Sequence, residues 1–205
     1  MQKHIGMRKK KIGVLAFQGD VMEHAAIIEK LGQRFLPVRT VNDLANVDAL
    51  IIPGGESTTI GFFLEETGLM QAIRRRASAK IPYPMPIWGT CAGAILLAKK
   101  IVSTRMPPSL GLMDMTIERN AYGRQINSFY ATLQIPRLQI ANLEAAFIRA
   151  PIILNAGSSE ILATLNKKIV LVRQGNLLAS TFHPELTNDE RLHRYFISTV
   201  FPRLS

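Results

Sequence analysis

The 205-residue chain contains one cysteine, Cys91, and one tryptophan, Trp88. A lone thiol excludes an intramolecular disulfide framework and any zinc or iron–sulfur site built from several cysteines, and it fits a reducing, cytoplasmic setting. Acidic residues are scarce: 15 Asp plus Glu face 25 Lys plus Arg, a formal net charge of +10. Such an excess raises the question of nucleic acid or an anionic membrane. Its placement argues against both. Lys3, Arg8, Lys9, Lys10 and Lys11 all precede the first acid, Asp20, so half of the excess belongs to a leader and not to a folded face. Residues 1–10 are read as a basic, disordered leader and 11–205 as one domain. Long apolar runs are missing too. Ile12 to Phe17 is shorter than a signal-peptide core, and the uncharged stretch Ile81 to Ala98 is broken by Pro82, Pro84 and Pro86. Neither a Gly-x-x-x-x-Gly-Lys nor a Gly-x-Gly-x-x-Gly phosphate loop occurs.

What is present is an alternation of short apolar runs with helical patterns. Lys11 to Phe17 reads as a strand, and Asp20-Val-Met-Glu23 as a capping box opening a helix that Gly32 ends. Arg34 to Arg39 reads as an edge strand because of Pro37, Asp48 to Ile52 as a third strand, and Pro86 to Trp88 as a fourth that enters a helix over Ala92 to Lys100. Strands that are apolar throughout imply a mostly parallel sheet with helices on both faces, an α/β three-layer fold. From about Gly111 the chain turns β-rich, with strands expected over 113–119, 125–135, 147–153, 161–165, 169–174 and 177–182. An amphipathic helix over Asp189 to Val200, with Leu192, Phe196 and Val200 on one stripe, closes the chain.

Gly89-Thr-Cys-Ala-Gly93 places Cys91 between glycines at minus two and plus two, where a strand turns into a helix. A turn that sharp tolerates only small neighbours and leaves the nucleophile strained and accessible, at a helix start whose N–H groups favour a thiolate and an oxyanion. The bland alternative is a buried inert cysteine. Of the four histidines, His183 ends an expected strand, and Glu185, two residues on, would share its face and orient its ring. A metal-dependent deaminase would need two further cysteines, so no metal or cofactor is expected. Pro53-Gly54-Gly55-Glu56-Ser57 follows a parallel strand and belongs at the same sheet edge. There it offers backbone N–H groups, while Glu56 offers a carboxylate for a substrate ammonium. Arg119 and Arg149 end expected strands and are candidate partners for a substrate carboxylate. A non-catalytic binding module and a nucleic-acid binder stay open on these residues alone.

These segments together resemble the class I, triad-type glutamine amidotransferases, specifically the PdxT/SNO family of glutaminase subunits of pyridoxal 5′-phosphate synthase. The resemblance runs from about Ile12 to Val200. It is carried by Phe17-Gln-Gly-Asp20, Pro53 to Thr59, Gly89 to Gly93, Glu118 to Gln125, Phe147-Ile-Arg-Ala-Pro151 and Ser180 to Leu186. It implies that Cys91, His183 and Glu185 form a triad that hydrolyses L-glutamine through a glutamyl thioester. It further implies that the backbones of Gly55 and Ala92 hold the oxyanion, and that Gly55, Glu56, Ser57, Arg119, Ile148 and Arg149 bind glutamine. Gln18-Gly19 falls on the family's partner-responsive loop. The implied partner is the barrel-shaped synthase subunit in an assembly of twelve copies of each, with imidazole glycerol phosphate synthase as the alternative recipient of ammonia.

Overall fold

The computed structural model describes residues 8–78, 83–119 and 128–199. Outside them lie the first seven residues of the basic leader, Pro82, residues 120–125 of the Arg119-Asn120 segment, the start of the strand expected from 125, and Val200. Through the first half the chain runs β1 (Lys11–Leu15), α1 (Val21–Lys30), β2 (Arg34–Val38), α2 (Val41–Ala45), β3 (Ala49–Ile52), α3 (Ser57–Glu66), α4 (Leu69–Ala77), β4 (Ile87–Thr90) and α5 (Ala92–Leu97). The second half adds β5 (Ala98–Val102), β6 (Met113–Glu118), β7 (Phe129–Ile135), β8 (Ile140–Phe147), β9 (Ile152–Asn155), β10 (Glu160–Leu165), β11 (Lys168–Gln174), β12 (Leu177–Ser180) and α6 (Arg191–Thr199).

Among the described residues ten strands form one sheet in the order β2-β1-β3-β4-β12-β11-β9-β6-β5, with β10 beside β11. Its first five strands are mutually parallel. The next pairings, β12 with β11, β11 with β9 and β9 with β6, are antiparallel, and β5 with β6 is parallel again. The expected edge position of β2 is met, and its Pro37 costs no ladder to an outer neighbour. The parallel strands are apolar throughout because each face has its own core. Leu50, Ile52 and Ile87 pack under α3, α4 and α5 with Ile60, Leu64, Ile73 and Leu96. Val14, Ile51, Trp88 and Leu178 pack under α1 and α6 with Ile28, Leu192 and Phe196. The β7–β8 hairpin, a separate two-stranded sheet, adds Leu133, Leu143 and Phe147 to this second core.

Three expectations are corrected. The helix expected over Ala92 to Lys100 stops at Leu97, and Ala98 turns extended to begin β5, whose buried Ile101 and exposed lysines fit a strand at the sheet's far edge. The strand expected over Phe147 to Ile153 is two strands, β8 and β9, separated by a turn at which Arg149 takes φ 45°. Asp20 precedes α1 but makes no side-chain capping bond, so the expected capping box is absent there; one forms instead at α2, where Thr40 and Asp43 cap each other's backbone N–H.

Candidate active site

Parallel pairing decides where the chemistry gathers. Ser180 at the end of β12 is in register with Thr90 at the end of β4, and Ile52 at the end of β3 with Gly89. The residues after these three strands therefore share the carboxyl edge of the sheet, where open α/β sheets hold ligands. Cys91 sits at the turn from β4 into α5 with φ 47° and ψ −103°, outside the regions a non-glycine residue ordinarily occupies, and its N–H donates to the Ser180 carbonyl at 2.8 Å. The flanking glycines are required by space. A Cβ on Gly89 would lie 2.4 Å from the Gly93 backbone, and one on Gly93 would lie 2.0 Å from the Ile52 carbonyl oxygen. The strained, glycine-bracketed elbow read from the sequence is what the backbone adopts.

His183 lines the same cavity as Cys91. Its Nδ1 donates to Glu185 Oε1 at 2.8 Å. The route differs from the one expected: residues 184–186 form a 3₁₀ turn, not a continuing strand, and it is this turn that folds Glu185 back onto the ring. Burial opposes protonation of His183, but its bonds and charge pairing with Cys91 and Glu185 prevail and push its pKa up to about 11. Burial raises the Glu185 carboxyl, partly offset by the His183 cation. A carboxylate not foreseen in the site, Asp20, places Oδ2 3.2 Å from the same Nδ1. Its signal in the sequence was membership of Phe17-Gln-Gly-Asp20, a segment that follows β1 to the same sheet edge.

The other sequence-derived candidates line one cavity of about 290 Å³ around Cys91: Gly19, Gly55, Glu56, Ser57, Ala92, Arg119, Ile148 and Arg149, with Asp20 and His183. Gln18 lies beside it, and its Oε1 accepts from the Glu56 N–H at 3.1 Å, tying the two loops together. Gly55 has φ 132°, a conformation open to glycine, and Gly19 at φ 91° packs so closely that a Cβ would lie 2.1 Å from the Gly54 carbonyl oxygen. Ser57 Oγ is buried with no hydrogen-bond partner among the described residues. The Ile148 carbonyl lies 3.8 Å from Cys91 Sγ. Glu56 is less free than expected: its carboxylate caps α3 by accepting from the N–H groups of Thr58 and Thr59 and the Thr59 hydroxyl, and it pairs with Arg119. Arg119 also donates to Thr58 Oγ1 at 2.7 Å. Burial works against ionisation of Glu56, yet the Thr59 and Thr58 donors and Arg119 pull its pKa down to about 2.

Residues 14–201 match the model of the SNO glutamine amidotransferase family. The chain belongs to this family. Relatives named pyridoxal 5′-phosphate synthase subunit PdxT are 52% identical in Herpetosiphon aurantiacus over 91% of this chain and 98% of that one. In Kosmotoga olearia identity is 47% over 93% and 97%, and in Thermus thermophilus 49% over 91% and 95%. A crystal structure described as a glutamine amidotransferase superposes with a TM-score of 0.85 at 46% identity, covering 92% of this chain and 98% of that one. A glutamine amidotransferase from Thermotoga maritima superposes at 0.59 with 14% identity over 94% of this chain and 84% of that one, a likeness of fold alone. Membership of the SNO glutamine amidotransferase family gives the chain a reaction class, amide-nitrogen release from glutamine. Among the described residues no helix is long and apolar enough to cross a membrane.

Proposed function

We infer that this chain is the glutaminase subunit of a pyridoxal 5′-phosphate synthase, releasing ammonia from L-glutamine for a separate synthase subunit. The observation that carries the reading is the apposition of Cys91, His183 and Glu185 at one sheet edge in a chain about half identical to the PdxT subunits over nearly its whole length. In this mechanism the Cys91 thiolate attacks the side-chain amide carbon of glutamine, and the N–H groups of Gly55 and Ala92 hold the oxyanion. The His183 imidazolium gives its proton to the departing nitrogen as the C–N bond breaks, which leaves a γ-glutamyl thioester and ammonia. Neutral His183 then takes a proton from water, hydroxide adds to the thioester, and collapse expels Cys91 and releases glutamate. Glu185 fixes the ring's tautomer and balances its charge. Glu56 and Arg119 set opposite charges beside the cavity, a match for the zwitterionic head of an α-amino acid, and Ser57, Ile148 and Arg149 complete the lining.

The Gln18 contact to Glu56 suits a partner-responsive role for Gln18-Gly19, because movement of that loop would carry the Gly55 oxyanion donor with it. The partner is the synthase subunit, twelve of each chain per assembly, in the cytoplasm. Imidazole glycerol phosphate synthase is disfavoured as recipient by the consistent PdxT names of the relatives. The test is ammonia release from L-glutamine by the purified chain, alone and with a cognate synthase subunit. Release that rises with the partner and vanishes in Cys91→Ala supports the reading. A folded protein that releases none under either condition, or wild-type turnover by Cys91→Ala, overturns it.

A further inference from the structure

Behind the triad lies a buried pair that the mechanism above does not use. His24 on α1 and His193 on α6 are both fully buried, with His24 Nδ1 2.9 Å from His193 Nε2. The opposite face of His24 looks at the triad: its Nε2 lies 3.5 Å from Glu185 Oε2. Both atoms are buried and neither makes a hydrogen bond among the described residues, whereas Glu185 Oε1 is taken by His183. The Trp88 ring stands edge-on to His193 at a centroid distance of 4.8 Å and to His24 at 6.1 Å, which keeps both imidazoles in place.

Hydrogen arithmetic fixes the direction of the chain. Burial keeps both rings neutral: it holds His24 well below its usual pKa, with His193 and the cationic His183 further opposing a second proton there, and it holds His193 at about 3 against the raising effect of Glu190. A neutral imidazole carries one N–H and one lone pair. If His24 donated from Nδ1 to His193, its bare Nε2 would face a carboxylate oxygen, lone pair against lone pair. If His193 donates from Nε2, His24 keeps its proton on Nε2 and offers it to Glu185 Oε2. Only the second arrangement satisfies both contacts of His24 while Glu185 is ionised.

We propose that His24 is a positioning residue for the triad, donating Nε2–H to the second oxygen of Glu185, with His193 setting the tautomer that makes this possible. Glu185 is then held from two sides, by His183 on Oε1 and His24 on Oε2, and cannot rotate away from the ring it orients. The groups that bear on this carboxylate are His183, His24 and Asp20, and beyond His24 stand His193 and Glu190. Loss of the His24 donor removes a hydrogen bond to the ionised form of Glu185, so that carboxyl protonates at higher pH. A weakened Glu185 anion in turn lets His183 lose its proton at lower pH. The active range therefore narrows from both ends.

The proposal rests on the triad reading, and its tests separate the two. In the intact protein, nitrogen-15 NMR of the histidine rings should show His24 protonated at Nε2; a His24 protonated at Nδ1 overturns the proposal whatever the activity. In ammonia-release assays His24→Leu should lose about tenfold in kcat, the scale on which outer partners act on the groups they orient. KM should hardly change, and each limb of the pH profile should move inward by about one unit. His24→Gln carries an amide N–H as many bonds from the backbone as Nε2 and should recover most of the rate and the width of the profile. Leu and Gln variants that are equally slow, or a folded Leu variant with the parental pH limbs, overturn it. Failure of the triad reading shows differently, as ammonia release that survives Cys91→Ala.

Discussion

Gly54 lies directly against the ring of His183: a Cβ at Gly54 would sit 2.4 Å from Cε1, 3.1 Å from Nδ1 and 3.3 Å from Nε2. The first glycine of the Gly54-Gly55 pair therefore serves the histidine, while the second, at φ 132°, shapes the backbone turn. Two adjacent glycines that look alike in sequence do different work.

Gly54→Ala is expected to displace the imidazole and to lower kcat for ammonia release by about 10²-fold, the cost of moving a catalytic group by about an ångström. The fold should survive, since the side chain that must move borders a cavity. Rates like those of the parent protein, with an unshifted melting temperature, would show that the ring has room to spare.

Asp20 and Glu185 both address Nδ1 of His183, at 3.2 and 2.8 Å, but only Glu185 is buried. Glu185→Gln should cost at least about 10²-fold in kcat, because it removes the anion that fixes the tautomer. Asp20→Asn should cost less than about tenfold. Its signature is a basic limb moved to lower pH, since His183, held up at about 11, loses a carboxylate 3.2 Å from its Nδ1. Steady-state pH profiles of both variants decide the ranking; equal losses would make Asp20 a full partner.

Glu56 contributes stability that depends on acid. Its pKa falls from 4.5 in the unfolded chain to about 2 in the fold, so the contribution is present above pH 4.5 and is lost as pH falls toward 2. With the side chain 45% exposed, solvent screening leaves about 1 kcal/mol of the unscreened value. Denaturant titrations at pH 5 and pH 2.5 should show Glu56→Gln losing less stability on acidification than the parent. An identical loss would place the effect elsewhere.

Gly93→Ala should be destabilising outright. The added methyl meets the Ile52 carbonyl oxygen at 2.0 Å, a Cβ against fixed backbone, and no side-chain rotation relieves it. A loss of about 2–3 kcal/mol is expected, measured by chemical denaturation. A change below about 0.5 kcal/mol would mean that α5 can slide on β3.

Several features were legible because their causes are local. The apolar runs of β1, β3 and β4, the helix after each, and the glycine bracket of Cys91 all follow from residues within a few positions of one another. The spacing of His183 and Glu185 was equally legible, although the 3₁₀ turn that joins them was not, since Pro184 is compatible with either geometry. The end of α5 at Leu97 carried no signal, because Ala98, Lys99 and Lys100 are good helix formers, and the segment becomes a strand by pairing with β6. The turn at Ile148 to Pro151 was hidden for a similar reason: Arg149 at φ 45° contradicts its own preference and is held by what surrounds it.

By itself, then, the sequence determined an alternating α/β fold, a cysteine at a strained elbow and the residues able to serve it, since backbone sterics and hydrophobic burial act over short stretches of chain. Only the tertiary structure decided that β12 lies beside β4 and so brings residue 183 to residue 91. It likewise decided that Asp20 turns from capping a helix to the His183 ring, that Glu56 and Arg119 pair, and that two buried histidines stand behind Glu185. Each of these joins residues far apart in the chain, and such contacts form only when both faces of the sheet bury their cores together.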